Sequence, residues 1–176
     1  MNQTGGNRFI VSPRDLSRGV IQTPGGIFDC AIGRNGATAI KTEGDGATPA
    51  GVYPLRNILY RSDRLEKPLS GLPIYPLDKD NGWCDTPDHP DYNRFVHLPH
   101  PAHCEELWRE DRIYDVIIVM AYNDNPVRSG KGSAIFMHVA QPCLKPTEGC
   151  IALVLEDLMV IVNHLDKDSL IDIQPG

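Results

Sequence analysis

One contrast limits what this chain can fold into. A single stretch repeats its apolar residues at intervals of three and four: Leu155, Leu158, Met159, Val162 and Leu165. That period belongs to a helix. Its first residues include Glu156 and Asp157, acids that suit the positive end of a helix dipole. Elsewhere the apolar residues come in short, often β-branched runs, separated by many of the 16 glycines and 15 prolines. Residues 8–12, 19–22, 28–32, 37–41, 52–60 and 169–173 therefore read as strands. Residues 113–121 form a nearly continuous apolar run, which predicts a strand buried on both faces. Asn35-Gly36, between two apolar runs, predicts a hairpin. The expected fold is mainly β: a two-sheet sandwich or flattened barrel, one C-terminal helix and a long loop insertion.

A length of 176 residues suits one domain with a full core. The expected organisation is a single catalytic domain over 1–176, with the insertion at about 61–101. A net charge of -6 and the lack of a basic run argue against nucleic-acid binding. No apolar stretch approaches the roughly 20 residues of a membrane span. The first residues contain no apolar segment of the kind a signal peptide needs. The five cysteines are odd in number and irregularly spaced, so no disulfide framework is predicted.

The insertion is rich in proline and holds Trp83, Asp85, Tyr92 and Asn93. Aromatics mixed with an acid and an amide suit a groove for a polar peptide or sugar. Tyr122 and Asn123, in the turn after the buried run, are further candidates for orienting a ligand. His89, His97, His100, His103, Cys84 and Cys104 cluster in this part of the sequence. Their spacing matches no standard zinc pattern, so no metal is expected. Residues 42–51 bend through glycines but lack the Gly-Lys-Ser/Thr of a phosphate loop, and no cofactor is expected. Residues 104–111 read as a short polar helix with Glu105, Glu106 and Glu110 outward.

The chemistry concentrates between Ile135 and Leu153. One apolar run delivers His138, a Pro-punctuated loop follows, and a turn through Thr147-Glu148-Gly149 delivers Cys150. On a strand, His138 shares a face with Phe136 and Ala134. An imidazole beside a thiol is a means of activating it. Gly149 permits a turn in which backbone N–H groups converge on an oxyanion. On this reading Cys150 is the most reactive thiol of the chain at neutral pH. The bland alternative is a packed core histidine and a buried structural thiol.

His138 followed by Thr147-x-Gly149-Cys150-Ile151-x-Leu153 resembles the signature of the L,D-transpeptidases with a YkuD-type catalytic domain. Gly44-Asp45-Gly46-Ala47-Thr48-Pro49-Ala50-Gly51-Val52-Tyr53 is similar to that family's Thr-Pro-x-Gly turn and following strand. The resemblance runs from about residue 28 to the C-terminus. It departs at Ala152, where the family usually has Arg, and at Glu148, often His or Lys. It implies the family's fold and an acyl transfer on bacterial peptidoglycan stem peptides in the cell envelope (periplasm), with the cytoplasm as the alternative because no signal peptide is visible. Cys150 would form a thioester, His138 would act as base, and Gly149 would frame the oxyanion. Thr147, Tyr122, Asn123, Trp83, Asp85, Tyr92 and Asn93 would line the substrate groove. Rival readings are an L,D-carboxypeptidase or endopeptidase with water as acceptor, and a non-catalytic peptide-binding module on the same fold.

Overall fold

The structure is a computed structural model and describes residues 6–176. Much of the segment examined for a leader lies outside the described residues. The chain is mainly β. Its strands are β1 (Arg8–Pro13), β2 (Arg18–Thr23), β3 (Gly26–Ala31), β4 (Ala37–Thr38), β5 (Thr48–Pro49), β6 (Gly51–Tyr60) and β7 (Ile74–Pro76). There follow β8 (Asn81–Cys84), β9 (Phe95–His97), β10 (Cys104–Glu106), β11 (Val116–Met120), β12 (Phe136–Val139) and β13 (Ile151–Leu153). The helix α1 (Leu155–Asn163) and the strand β14 (Leu170–Ile173) complete the order.

The main sheet runs β11-β12-β13-β3-β2-β1-β14-β6-β7, and β6 pairs back with β11. That pairing closes the sheet into a barrel. Closure depends on the length of β6: Gly51–Pro54 pairs with β14, and Leu55–Tyr60 pairs with β11. The flattened barrel and single helix agree with the sequence reading. Leu158, Ile161 and Val162 of α1 are buried with Phe9, Ile21, Ile118, Met137 and Ile151 in the barrel core.

A second apolar cluster lies on the other face of the same strands. It joins Leu59, Ile117, Val119 and Phe136 to Leu77, Leu107 and Tyr114. β11 is thus buried on both faces, as its unbroken apolar run predicted. The cover over this outer face is the insertion. It is less irregular than its prolines suggest, and with the residues that follow it, through Asp115, it builds a cover holding a three-stranded sheet, β10-β8-β9. The Arg61 guanidinium stacks over the Trp108 ring at 3.6 Å and pairs with Asp63 at 2.8 Å. Arg64 meets Asp115 at 2.7 Å. These contacts tie the start of the insertion to its end.

Two local expectations are corrected. Asn35-Gly36 makes a turn, with Gly36 donating to the Gly33 carbonyl at 2.9 Å, but no hairpin. β4 instead pairs parallel with β5, because Gly33 leaves the sheet to donate to Thr48 Oγ1 at 2.8 Å and to bridge Thr147. Residues 104–111 are not a helix. Cys104–Glu106 is strand β10, antiparallel to β8, so tertiary pairing overrides a weak local preference.

Candidate active site

β12 and β13 are parallel neighbours, with Met137 opposite Ile151 and His138 opposite Ala152. Met137 and Ile151 point into the barrel core. Side chains alternate along a strand, so Phe136, His138, Cys150 and Ala152 share the outer face. Cys150 and His138 become diagonal neighbours, a relation within reach of longer side chains. Both line a cavity of about 720 Å³ between this face and the insertion.

The thiol is held by backbone. Phe136 N–H donates to Cys150 Sγ at 3.3 Å, and Sγ donates to the Ala134 carbonyl at 3.2 Å. Ala134 is left-handed, at φ 51°, a conformation that costs a non-glycine residue roughly 1–3 kcal/mol. Asn93 supports it. Its Oδ1 accepts Ala134 N–H at 3.1 Å and Trp83 Nε1–H at 2.8 Å, while its Nδ2 donates to the carbonyls of Tyr122 and Asn123.

The loop before the thiol is equally fixed. The Thr147 hydroxyl donates to the Cys150 carbonyl at 2.6 Å and accepts Gly149 N–H at 3.1 Å. Gly149 has φ 141°, and a Cβ there would lie 2.8 Å from the Ala47 carbonyl oxygen. Conformation and close approach both require glycine. Its N–H, however, is taken by Thr147. The Cys150 N–H has no acceptor among the described residues.

Burial pushes the Cys150 thiol up to about 12, with Glu105 adding to the rise and the Phe136 amide and Lys41 opposing it. Burial brings His138 down to about 4. At neutral pH both groups are uncharged. The neutral imidazole donates from Nδ1 to the Val139 carbonyl at 2.9 Å, which leaves the Nε2 lone pair free. In the resting protein Cys150 is buried, which raises its thiol, whereas Cys143 is exposed.

Asp85 and Thr147 line the cavity as expected. Trp83, Tyr92, Asn93, Tyr122 and Asn123 are not part of its lining. Trp83 packs edge-on against Phe136 at 5.0 Å. Tyr92 is buried, bonded to Glu43 and to the Gly132 amide. The Tyr122 hydroxyl donates to the Lys131 carbonyl, and Asn123 Nδ2 donates to the carbonyls of Arg128 and Gly132. The five residues brace the walls, because their polar groups are spent on backbone, on one another and on Glu43.

Other wall residues were not anticipated. Lys41 is buried, with Nζ 2.6 Å from Asp45. Glu105, expected outward, accepts the Tyr114 hydroxyl at 2.6 Å and is raised by burial. Tyr114 stands edge-on to the His138 ring at 5.2 Å. Arg109 also lines the cavity. Their one sequence signal is an ionisable or polar residue beside an apolar run, which is too common to single them out.

Barrel and cavity together define a class: a mainly β domain whose cavity wall formed by β12 and β13 carries the Cys150 thiol and the His138 imidazole. The chain matches the family model YkuD, the L,D-transpeptidase catalytic domain, over residues 10–173, and it belongs to that family. Members of the family are enzymes that act on peptidoglycan peptides and are typically associated with the cell envelope. No curated protein and no solved structure matches the chain. Among the described residues no helix is long and apolar enough to cross a membrane.

Proposed function

We propose that this chain works as a single catalytic domain that transfers an acyl group from a peptidoglycan stem peptide through a thioester on Cys150. One observation carries the reading: a backbone-held thiol shares a cavity wall with an imidazole whose tautomer is set by Val139. Because the resting pair is neutral, His138 acts as a general base during attack rather than as the partner of a standing thiolate. A turn about the Cα–Cβ bond of Cys150 takes Sγ off the Ala134 carbonyl and toward Nε2. Nε2 accepts the thiol proton as sulfur bonds to the scissile carbonyl carbon. The Cys150 N–H is the donor best placed to meet the oxyanion, since Gly149 N–H is engaged. The imidazolium returns the proton to the departing amine, leaving the thioester. The amine of a second stem then attacks the thioester carbonyl and gives its proton to His138; the carbon–sulfur bond breaks, and the imidazolium returns that proton to the Cys150 thiolate.

The charges of the wall support a stem peptide as donor. Glu43, Asp85, Glu105, Glu106 and Glu148 line the cavity together with Lys41, Arg109 and Lys145. The acidic excess suits the free ammonium of a diamino acid. Lys145, on the cavity wall, suits a substrate carboxylate where Ala152 provides no Arg, since Arg109 is already paired with Asp111. Such a substrate places the reaction in the cell envelope. The test is incubation with a tetrapeptide stem and an acceptor amine, with products read by mass. A cross-linked peptide of correct mass, absent with Cys150→Ala, supports transfer. A tripeptide alone shows hydrolysis, and unchanged substrate sinks both.

A further inference from the structure

The small outer sheet gathers donors that lie far apart in sequence. Cys84 on β8 and Cys104 on β10 are directly opposed across an antiparallel pair. His100, just before β10, turns Nδ1 to within 3.3 Å of Cys104 Sγ. The two sulfurs and one nitrogen of His100 all lie within 4.8 Å of one another. Donors bound to a tetrahedral zinc ion at about 2.0–2.3 Å stand roughly 3.5 Å apart. A modest contraction would therefore bring these three onto one ion.

The surroundings of His100 favour ligation. Its Nδ1 accepts the Ala102 N–H at 3.2 Å, so Nδ1 carries the lone pair and Nε2 the proton, and an ion on Nδ1 takes the place of that amide bond. Nε2 faces Asp91 Oδ2 at 3.2 Å. A metal-bound histidine commonly hands its second N–H to a carboxylate in this way, fixing tautomer and ring plane. Cys84 is fully buried and the His100 side chain is 11% exposed. The site also falls where support is needed. β8, β9 and β10 contain four, three and three residues, too few for strong stability from strand pairing alone. The same strands carry Glu105 and lead to Asp85 on the cavity wall.

We propose that Cys84, Cys104 and His100 form a binding site for a thiolate-preferring divalent cation of the zinc class. Asp91 orients His100, and water fills the fourth position. Two thiolates and an imidazole favour zinc over magnesium or calcium. On binding, each thiol loses its proton to solvent, and two sulfur–metal bonds replace two S–H bonds. The ion joins β8 to the approach to β10 and stiffens one wall of the cavity. This inference is independent of the reaction proposed above.

The probe is cobalt(II), added to reduced, metal-free, full-length protein. The expected result is one equivalent bound, with a thiolate-to-cobalt charge-transfer band and the intense visible bands of a tetrahedral ion. Zinc(II) should displace it and raise the melting temperature. Cys84→Ser and Cys104→Ser should abolish the charge-transfer band. Asp91→Asn keeps every donor and should weaken binding about 10- to 100-fold, which gives a test even where a cysteine variant fails to fold. Cys150→Ser should leave the spectrum unchanged. The proposal is overturned by absence of the band, by a band that survives loss of Cys84 and Cys104, or by one lost with Cys150→Ser. A Cys84–Cys104 disulfide that persists in reductant would also overturn it.

Discussion

The two faces of β11, β12 and β13 have been put to opposite uses. Val116, Ile118, Met120, Met137, Ile151 and Leu153 face the barrel core, where burial raises the Cys30 thiol to about 12. Ile117, Val119, Phe136, His138, Cys150 and Ala152 face outward under the insertion. Where the insertion packs closely, that face is apolar. Where it stands off, the cavity opens and thiol and imidazole line it. Adjacent residues on one strand thus serve packing on one side and chemistry on the other. A register slip of one residue would exchange the roles.

Paired substitutions can break this contrast. Cys150→Ala should lower turnover by at least about a thousandfold, as loss of a nucleophile does, with the melting temperature within a few degrees of wild type. Met137→Ala, on the inner face of the paired strand, should cost about 2–5 kcal/mol in urea unfolding and keep its turnover per folded molecule. If each variant shows the other's phenotype, the division fails.

His138 sharpens the contrast through pH. Its folded pKa lies below the ordinary 6.5, at about 4, so the unfolded chain binds the proton more readily between these values. Stability is therefore lost as pH falls through this window, by roughly 3 kcal/mol in total. His138→Gln should remove that component, seen as the wild-type-minus-variant difference in unfolding free energy. Turnover should stay level from pH 6 to 8 as far as this group decides it, and fall in acid near pH 4.

Asn93→Ala probes the bracing. It leaves the Ala134 amide and the Trp83 indole without their partner, at about 1–3 kcal/mol for each buried group left unpaired. It should also lower kcat, because the Ala134 carbonyl beside the thiol loses support. A stability loss with unchanged kcat would detach Asn93 from the site. The smallest effect is expected at the Arg34–Glu148 pair, whose side chains are 46% and 78% exposed. Glu148→Ala should change stability by about 0.2–1 kcal/mol.

The barrel was legible because period-two runs and turn residues act locally. The unbroken apolar run of β11 announced that both its faces are covered, and the spacing of Leu158 and Val162 announced the helix. His138 and Cys150 stood out because a turn-forming Gly149 lies beside a thiol and a histidine ends a strand. The cavity walls were not legible. Glu105 faces the site because β10 pairs with β8, and no local pattern encodes that pairing. Trp83 and Tyr92 carry the same composition whether they line a groove or brace it, and only long-range bonds to Asn93 and Glu43 decide between the two.

The anchoring of Thr147 has a consequence for how the protein comes into being. Its N–H donates to the Ile32 carbonyl at 3.0 Å, and its own carbonyl accepts Arg34 N–H at 2.8 Å. The loop that presents the thiol is thus fastened to a segment made more than a hundred residues earlier. During synthesis, domains assemble from the N-terminus onward, and contacts this distant in sequence form late because the loop they close is long. The neighbouring strand β3 likewise pairs with β13, so this part of the barrel is completed only when residues from both ends of the chain meet. A chain that lacks this closure leaves the loop before Cys150 untied, so the placing of that thiol depends on pairing across most of the chain's length.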